Sequence, residues 1–502
     1  MNLTRKRAPE DGYGFGLRVA WPAIKTASDP ASESARCPKS RQTFSRHLPA
    51  RGAERLLHPA RLMSLCVVIA CAIFSGKAGE PQPHPPDLIG VVSDDRGDTL
   101  FEATVFIYTA GPRVGTSTLC PSCYLDCRKR ATTDKDGTFR IPALDPSLLF
   151  RLLVVGKNHK SKFVNKVDPL AGPVNVALER LEREKYGPKQ TLSGRVVNSD
   201  GEPVFGAVVN FDIFFGEEAN CGGDCAGVDQ AAVSDHDGRF LITSEKKFDW
   251  MTVTAEAPGL ARRRFFKLDS SQTHELRLTE GATVTGRLQK AGQLLKGFSV
   301  GLVSVDRSDD STGGFEATTN DEGFFCFQNI PPYHEYFVYG LMRSLQQVGC
   351  VAAKRLRVAA DGSSKSAGDL EVTPGVRLTG RVVLADGNPV PPHTRLSVGP
   401  ANAWDALSVE LDPNGRFEAP SLPRDSYGVS VHVRGYSMSL KNKSLDRING
   451  GLVGRIDQDT DLTILLEPGQ FAPPDFQKPW NLRLEAPPRD KPLQGADAVT
   501  AL

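Results

Sequence analysis

Two short sequence blocks recur four times along this chain of 502 residues. The first is strand-like with glycine at its third position, and the second is a turn whose glycine precedes phenylalanine by two residues. The glycines of the first block are Gly90, Gly194, Gly286 and Gly380, and those of the second are Gly137, Gly238, Gly323 and Gly415. A repeat of 92 to 104 residues is the size of one small domain, so the chain is expected to contain four domains of one fold.

The residues around both blocks alternate between apolar and polar, as in Val284-Thr285-Gly286-Arg287-Leu288, which is the pattern of a half-buried strand. Turn signals are frequent, no stretch has convincing helical periodicity, and Gly97, Gly201 and Gly387 each follow a first-block glycine by seven residues. We predict all eleven glycines as structural, turn-forming positions. The expected fold is a β-sandwich of about 90 to 100 residues, repeated four times.

The chain divides into seven predicted segments. They are a disordered basic leader or mis-assigned start (1–62), a signal peptide (63–79), four sandwiches (86–181, 190–280, 281–375 and 376–469) and a disordered Pro-rich tail (470–502). The last three sandwiches follow one another almost without linker, which predicts a semi-rigid rod. The charged connection at 179–190 is longer and is a candidate hinge.

The start of the chain carries the features of export. Residues 1–62 hold twelve Lys or Arg and five acidic residues, and the apolar run Leu65–Phe74 is too short to span a bilayer but suits a secretory signal ending near Ala78. Within this run Cys71 ends a lipobox-like sequence and is a candidate for lipidation. We therefore expect an exported protein (periplasmic, cell-surface or secreted) that is not transmembrane. The alternative is an exported protein held at the membrane by a lipid anchor.

The second unit carries the pattern Gly194–Val196, Asp200–Ala207 and Asp235–Phe240, and the fourth unit repeats part of it as Asp386–Val390. This pattern resembles the carboxypeptidase regulatory-like domain, over about 380 residues of the chain. The resemblance implies a tandem array of about four seven-stranded, transthyretin-like or Ig-like β-sandwiches with disordered terminal segments. In that family the domain is an accessory module of exported or surface proteins, and no peptidase domain accompanies it here.

Seven cysteines follow the predicted signal. Export favours disulfides, and the expected pairs are Cys221 with Cys225, Cys326 with Cys350, and one bridge among Cys120, Cys123 and Cys127. The alternative is zinc bound by Cys120, Cys123 and Cys127, with His159 as a conceivable fourth ligand. No other cofactor is expected.

Catalytic signatures are weak. Gly297-Phe298-Ser299-Val300-Gly301 matches a hydrolase nucleophile elbow, but the repeat places Ser299 at the strand position of Val208. The Asp-x-Asp-Gly turns resemble the start of a calcium-binding loop. Such a loop also needs a glutamate further along the chain as a bidentate ligand, and none of the four units supplies it. The formal net charge of +2 gives no sign of nucleic-acid binding.

The leading interpretation is a non-catalytic exported scaffold whose partner is a protein or polysaccharide at the cell envelope. Carbohydrate binding is the first alternative, because Trp404 lies in a predicted loop beside polar residues, where an exposed ring could support a sugar. A metal-binding or redox role of the Cys120/Cys123/Cys127 loop is the second.

Overall fold

The computed structural model describes residues 85–470, except 118–120, 123, 125, 128, 218–219, 224, 307–313, 440, 443–445 and 449–450, together with residues 481–483. Within this part of the chain, the regular elements are β-strands except for a 3₁₀ turn, Arg183–Lys185, and one short helix, α1 (Met342–Leu345). The all-β prediction is confirmed. The predicted leader, the signal segment and Cys71 lie outside the described residues.

The strands fall into four groups in chain order. The first sandwich contains β1 (Leu88–Asp94), β2 (Thr104–Pro112), β3 (Arg130–Thr132), β4 (Thr138–Ile141), β5 (Leu148–Val155), β6 (Lys162–Val167) and β7 (Val174–Leu178). The second contains β8 (Thr191–Val197), β9 (Val208–Phe215), β10 (Asn220–Gly223), β11 (Ala231–Val233), β12 (Arg239–Thr243), β13 (Trp250–Glu256), β14 (Arg263–Asp269) and β15 (Thr273–Arg277). The third contains β16 (Ala282–Lys290), β17 (Gln293–Leu294), β18 (Ser299–Ser304), β19 (Gly314–Thr318), β20 (Phe324–Ile330), β21 (Glu335–Gly340), β22 (Lys354–Arg357) and β23 (Ser364–Glu371). The fourth contains β24 (Val376–Leu384), β25 (Arg395–Pro400), β26 (Leu407–Glu410), β27 (Arg416–Leu422), β28 (Asp425–Val431), β29 (Tyr436–Met438), β30 (Asp446–Ile448), β31 (Gly451–Ile456) and β32 (Thr460–Pro468).

All four sandwiches share one topology of seven common strands. A three-stranded sheet has the order β4-β1-β7 in the first sandwich, and β12-β8-β15, β20-β16-β23 and β27-β24-β32 follow the same pattern. The facing sheet has the order β3-β2-β5-β6, repeated as β11-β9-β13-β14, β19-β18-β21-β22 and β26-β25-β28-β31. In each sandwich the first and last common strands pair in parallel, and the other common pairs are antiparallel. The repeat therefore encodes four copies of one seven-stranded sandwich, with β10, β17, β29 and β30 as local additions.

The two recurring sequence blocks meet across the three-stranded sheet. The first-block glycine lies directly opposite the phenylalanine of the second block in each sandwich, as Gly380 lies opposite Phe417. A Cβ on Gly380 would lie 2.7 Å from the Phe417 ring and closer still to the carbonyl oxygen of Leu462. The prediction that Gly90, Gly194, Gly286 and Gly380 form turns is therefore wrong: they lie within strands, where a phenylalanine ring covers them.

The second-block glycines do form turns. Gly238 has φ +76°, a conformation that glycine adopts without the steric cost paid by other residues. Before it, the carboxylate of Asp235 accepts hydrogen bonds from the backbone N–H groups of Asp237 (3.0 Å) and Arg239 (2.8 Å). Asp134, Asn320 and Asp412 make the same pair of bonds in the other sandwiches. An Asp or Asn whose side-chain oxygen accepts these two backbone hydrogen bonds thus accounts for the second block. In the third sandwich the amide oxygen of Asn320 takes the place of the carboxylate oxygen.

The first and second sandwiches are joined by an apolar cluster. Phe106, Leu153 and Val155 project from the outer face of one sheet and pack with Val208 and Ala231 of the next sandwich. These side chains are at most 8% exposed, so the contact excludes water as a small hydrophobic core does. The charged connection that follows the first sandwich was predicted as a hinge, but burial of this cluster holds the two sandwiches together.

The third and fourth sandwiches share a core residue. Met342 in α1 follows the last residues of β21, yet its side chain packs in the hydrophobic core of the fourth sandwich. The carboxylate of Asp405 accepts a hydrogen bond from the Met342 backbone N–H at 2.6 Å. This junction is therefore an extension of a core rather than a linker.

The first and fourth sandwiches also touch. Thr116 Oγ1 donates to the backbone oxygen of His432 at 3.0 Å, and an Arg395 guanidinium nitrogen lies 3.3 Å from the backbone oxygen of Val114. In the predicted rod only sandwiches adjacent in sequence would meet. The prediction is wrong because polar groups in the loop after β2 find partners on the fourth sandwich.

Part of the predicted C-terminal tail forms a strand. β33 (Asn481–Arg483) pairs antiparallel with β10 at the edge of the second sandwich, and the rest of the tail beyond 470 lies outside the described residues.

Candidate functional site

The two cysteine clusters lie in equivalent loops, between the second and third common strands of the first and second sandwiches. In the first loop Cys127 is buried, and its thiol lies 3.4 Å from the backbone oxygen of Pro121. Beside it, Asp126 pairs with Lys129 at 2.6 Å and accepts the backbone N–H of Asp145. Cys120 and Cys123 lie outside the described residues, so the predicted zinc ligands are not all placed.

His159 does not approach this loop. Its Nδ1 lies 2.7 Å from the backbone oxygen of Lys157, just after β5 ends at Val155. The cysteine loop joins the sheet at the opposite end of β5, where Leu148 pairs with Pro112. Because a strand of this length spans roughly 20 Å, a ligand set combining Cys127 with His159 is not formed. Among the residues that the structure describes, no cluster of three His, Cys, Asp or Glu is suited to a metal ion.

The disulfide predictions have mixed outcomes. Cys221 and Cys225 are bonded to each other, and both are buried in the core of the second sandwich. Cys350 is a buried free thiol, so the predicted Cys326–Cys350 bridge is wrong. Phe325 and Phe327, its neighbours in β20, are buried in the core, which turns Cys326 to the outer face of the sheet. Cys326 is disulfide-bonded, whereas Cys350 is not.

Ser299 of the elbow-like sequence is the first residue of β18, and its backbone N–H donates to Ser344 Oγ at 2.9 Å. The sharp strand-to-helix turn of a nucleophile elbow is not formed there.

Two open clefts occupy the same place in the first and fourth sandwiches, beside the facing glycine and phenylalanine. Their volumes are about 510 Å³ and 860 Å³. In the larger cleft Glu410 lies 2.8 Å from His393 Nδ1, and Asp461 accepts the hydroxyl of Thr379 at 2.8 Å. These carboxylates are held in local contacts within the fourth sandwich.

Trp404, the residue predicted as a sugar platform, is 41% exposed. It lies at the contact between the third and fourth sandwiches, where its backbone oxygen accepts the hydroxyl of Tyr339 at 3.2 Å and its side chain approaches Gly314. Part of the ring is therefore accessible, but its surroundings are set by the neighbouring sandwich.

A second aromatic surface was missed by the sequence analysis. Phe215 and Trp250 are directly opposed on β9 and β13, with parallel rings 4.8 Å apart, and Lys267 Nζ lies 5.6 Å from the Trp250 ring centroid. The adjacent Phe214 and Met251 are in the core, so Phe215 and Trp250 face outward, and Phe215 is 40% exposed. We name these three side chains the aromatic platform. The outward alternation of Trp250 at the start of a strand is the signal that could have identified it.

A half-buried carboxylate lies between the first and second sandwiches. Asp229 accepts hydrogen bonds from the Ser161 backbone N–H (3.2 Å), the Ser161 hydroxyl (3.3 Å) and the Thr243 hydroxyl. Burial is the largest influence on this group and raises the pKa of Asp229 above its ordinary value, while the hydrogen bonds to the carboxylate act in the opposite direction. The site is therefore a polar link between sandwiches.

The described part of the chain contains no helix long and apolar enough to cross a membrane. No protein-family model and no curated protein matches the sequence. Similar solved structures include the TIE protein of Bacillus anthracis, which is 11% identical over 78% of this chain and 76% of its own, with a TM-score of 0.16. The minor pilin GBS52 of Streptococcus agalactiae is 14% identical over 38% of this chain and 98% of its own, with a TM-score of 0.20. A streptococcal ancillary pilin is 9% identical over 57% of this chain and 99% of its own, with a TM-score of 0.22. TM-scores of this size do not establish a common arrangement or a common function.

Proposed function

We propose that this chain is a non-catalytic exported scaffold of the cell envelope, built from four carboxypeptidase regulatory-like sandwiches that hold their loops in fixed relative positions. The observation that carries the proposal is the construction of the junctions. The cluster around Phe106 and the insertion of Met342 into the next core make adjacent sandwiches share buried surface. Rigid spacing of loops is what a scaffold needs, because binding residues on loops are effective when a stable framework positions them.

Export has one structural support. The buried Cys221–Cys225 disulfide is of the kind that persists in oxidising compartments. The signal segment at 63–79, a lipid anchor at Cys71 and a polysaccharide partner are parts of the same proposal that rest on the sequence alone.

Small-angle X-ray scattering tests the rigidity. We expect one fixed arrangement to fit the scattering of the exported chain, and Phe106→Glu to increase the radius of gyration, because a carboxylate cannot stay unpaired in the apolar cluster. The matched control is Ile89→Glu, since Ile89 is 44% exposed on the same sandwich. Scattering that is the same for the Phe106 variant and the wild-type protein would contradict the proposal.

Carbohydrate binding is a second candidate, and the aromatic platform is the observation that favours it. Stacked rings beside an ammonium group suit a sugar that carries a carboxylate, which could stack on the ring and pair with Lys267. We expect Trp250→Ala to abolish binding to acidic glycans on an array and Trp404→Ala to leave it unchanged. Loss of binding in the Trp404→Ala variant but not in the Trp250→Ala variant would instead place the sugar-binding site at Trp404, as predicted from the sequence.

A further inference from the structure

The contact between the first and fourth sandwiches differs from the other junctions in its place in the chain. The apolar cluster links the first sandwich to the second, and Met342 links the third to the fourth. Between the second and third, the Asn329 side chain donates to the backbone oxygens of Gly259 (2.7 Å) and Glu280 (2.8 Å). These three junctions join consecutive sandwiches, whereas the first and fourth are separated by two whole sandwiches. Their contact can therefore open while every consecutive junction stays intact.

A few residues of the loop after β2 make this contact through polar groups. Thr116 Oγ1 donates to the backbone oxygen of His432 at 3.0 Å, and an Arg395 guanidinium nitrogen donates to the backbone oxygen of Val114 at 3.3 Å. The ring nitrogen Nδ1 of His432 lies 3.1 Å from the backbone oxygen of Ser117. Among the described residues, none of the apolar clusters spans the first and fourth sandwiches. Hydrogen bonds to backbone oxygens thus hold this contact.

The contact is also accessible to water. Val114 is 53% exposed, the Arg395 side chain is 24% exposed, and Thr116 and His432 are half-buried. A hydrogen bond that breaks at such a surface is replaced by one to water, so its net contribution is small. Separation of the apolar cluster would instead expose hydrophobic side chains. The first and fourth sandwiches are therefore expected to part more readily than the first and second.

A glycine allows the two backbones to approach each other closely. Gly115 has φ +85°, and a Cβ added to it would lie 2.4 Å from the backbone oxygen of His393 in the fourth sandwich. Gly97, at an exposed turn of the first sandwich, has a similar φ of +91° but nothing within 4 Å of an added Cβ. Position 115 thus requires glycine for space as well as for backbone conformation. The loop and the fourth sandwich fit each other at this point, and one methyl group is enough to disturb the fit.

We propose that this contact is a latch, which holds the four sandwiches in a closed arrangement and is the place where the array opens while the junctions between consecutive sandwiches hold. The latch is closed in the chain alone. Closing covers part of the loop after β2, so a partner that binds this part of the loop competes with the fourth sandwich. The latch adds a conformational step to the scaffold proposed above, and it can fail while the rigidity of the consecutive junctions stands.

Single-molecule energy transfer on the full chain tests the latch. One pair of fluorophores, attached through non-canonical amino acids at Lys135 and Asn414, reports the distance between exposed turns of the first and fourth sandwiches. We expect Gly115→Ala to raise the population of the open, longer-distance state by roughly tenfold or more, because the methyl group does not fit against His393. Gly97→Ala is the matched control: it also places a side chain at positive φ, and it should behave like the wild type.

A second variant and a second pair of fluorophores guard against a folding defect. Thr116→Val removes the hydroxyl that donates to His432 with little change of shape, and it should raise the open population in the same direction. Fluorophores at Lys135 and Ser271, on the first and second sandwiches, should keep the wild-type distance in every variant. Equal first-to-fourth distances in Gly115→Ala and Gly97→Ala would overturn the proposal. A longer first-to-second distance in Gly115→Ala would also overturn it, because the array would then open at a junction that the proposal requires to hold.

Discussion

In every sandwich, a glycine within a strand leaves room for the ring of a phenylalanine on the neighbouring strand. In each of the four sandwiches, the first-block glycine lies opposite the phenylalanine that comes two residues after the turn glycine of the second block. In each case a Cβ would overlap both the aromatic ring and a backbone oxygen of the parallel partner strand. The ring can shift, but the strand carbonyl cannot without breaking the ladder, so the site has no room for even one methyl group.

At this scale we predict that Gly380→Ala destabilises the fourth sandwich by about 1–3 kcal/mol, the usual cost of forcing an extra methyl group into space that other atoms occupy. Gly428→Ala is the matched control: this glycine also lies in a strand of the fourth sandwich, and the backbone oxygen of Gly399 would lie 3.9 Å from the new Cβ. We expect it to change stability by less than about 0.5 kcal/mol. Chemical denaturation of both variants checks the difference, and equal effects would show that the Phe417 contact is not the constraint.

At the scale of elements, the helix α1 shows how a few residues can belong to two sandwiches. Leu345 packs in the core of the third sandwich, and Met342, one turn earlier, packs in the core of the fourth. The backbone hydrogen bond to Asp405 fixes the start of the helix against the fourth sandwich. Stability of the fourth sandwich therefore depends on a residue that precedes its first strand.

We predict that Met342→Ala lowers the stability of the fourth sandwich by about 2–5 kcal/mol, the range for truncating a buried large side chain. Leu345→Ala should have its effect in the third sandwich instead. Hydrogen exchange of β28 and β21, measured in both variants, separates the two outcomes. Faster exchange confined to β21 in the Met342 variant would contradict the shared core.

The sequence predicted the strands and their repetition because alternation and turn glycines are local signals. Gly238 and Phe240, for example, are readable from a few neighbouring residues. The packing of Met342 against the fourth core, the distance of His159 from the cysteine loop and the pairing of β33 could not be predicted, since each depends on how separate elements meet in space. The Cys326–Cys350 error has the same origin: counting cysteines does not show which face of a strand a cysteine occupies.

At the scale of the molecule, Asp229 connects the first two sandwiches through a charge whose state depends on pH. A carboxyl whose pKa is raised on folding favours the native state at low pH, and this contribution is lost as the pH rises through the native pKa. Because Asp229 bonds to Ser161 of the other sandwich, the loss falls on the junction.

We therefore predict that Asp229→Asn removes a pH dependence of thermal stability. Relative to this variant, the wild-type protein should become less stable as the pH rises from about 4, near the ordinary pKa of aspartate, to neutrality. Calorimetry across this range provides the measurement, and Asp200→Asn, at an exposed turn, is the control. A wild-type protein that gains stability over the same range relative to Asp229→Asn would reverse the assigned sign.

The parallel pairing of the first and last common strands has a mechanical consequence. When a sandwich is pulled by its two ends, β1 and β7, or their equivalents, are drawn past each other along their length. The hydrogen bonds between them then bear the load together, whereas an antiparallel hairpin pulled from its open end would lose them one at a time. In a chain of four such sandwiches, each unit would resist extension in this shearing geometry.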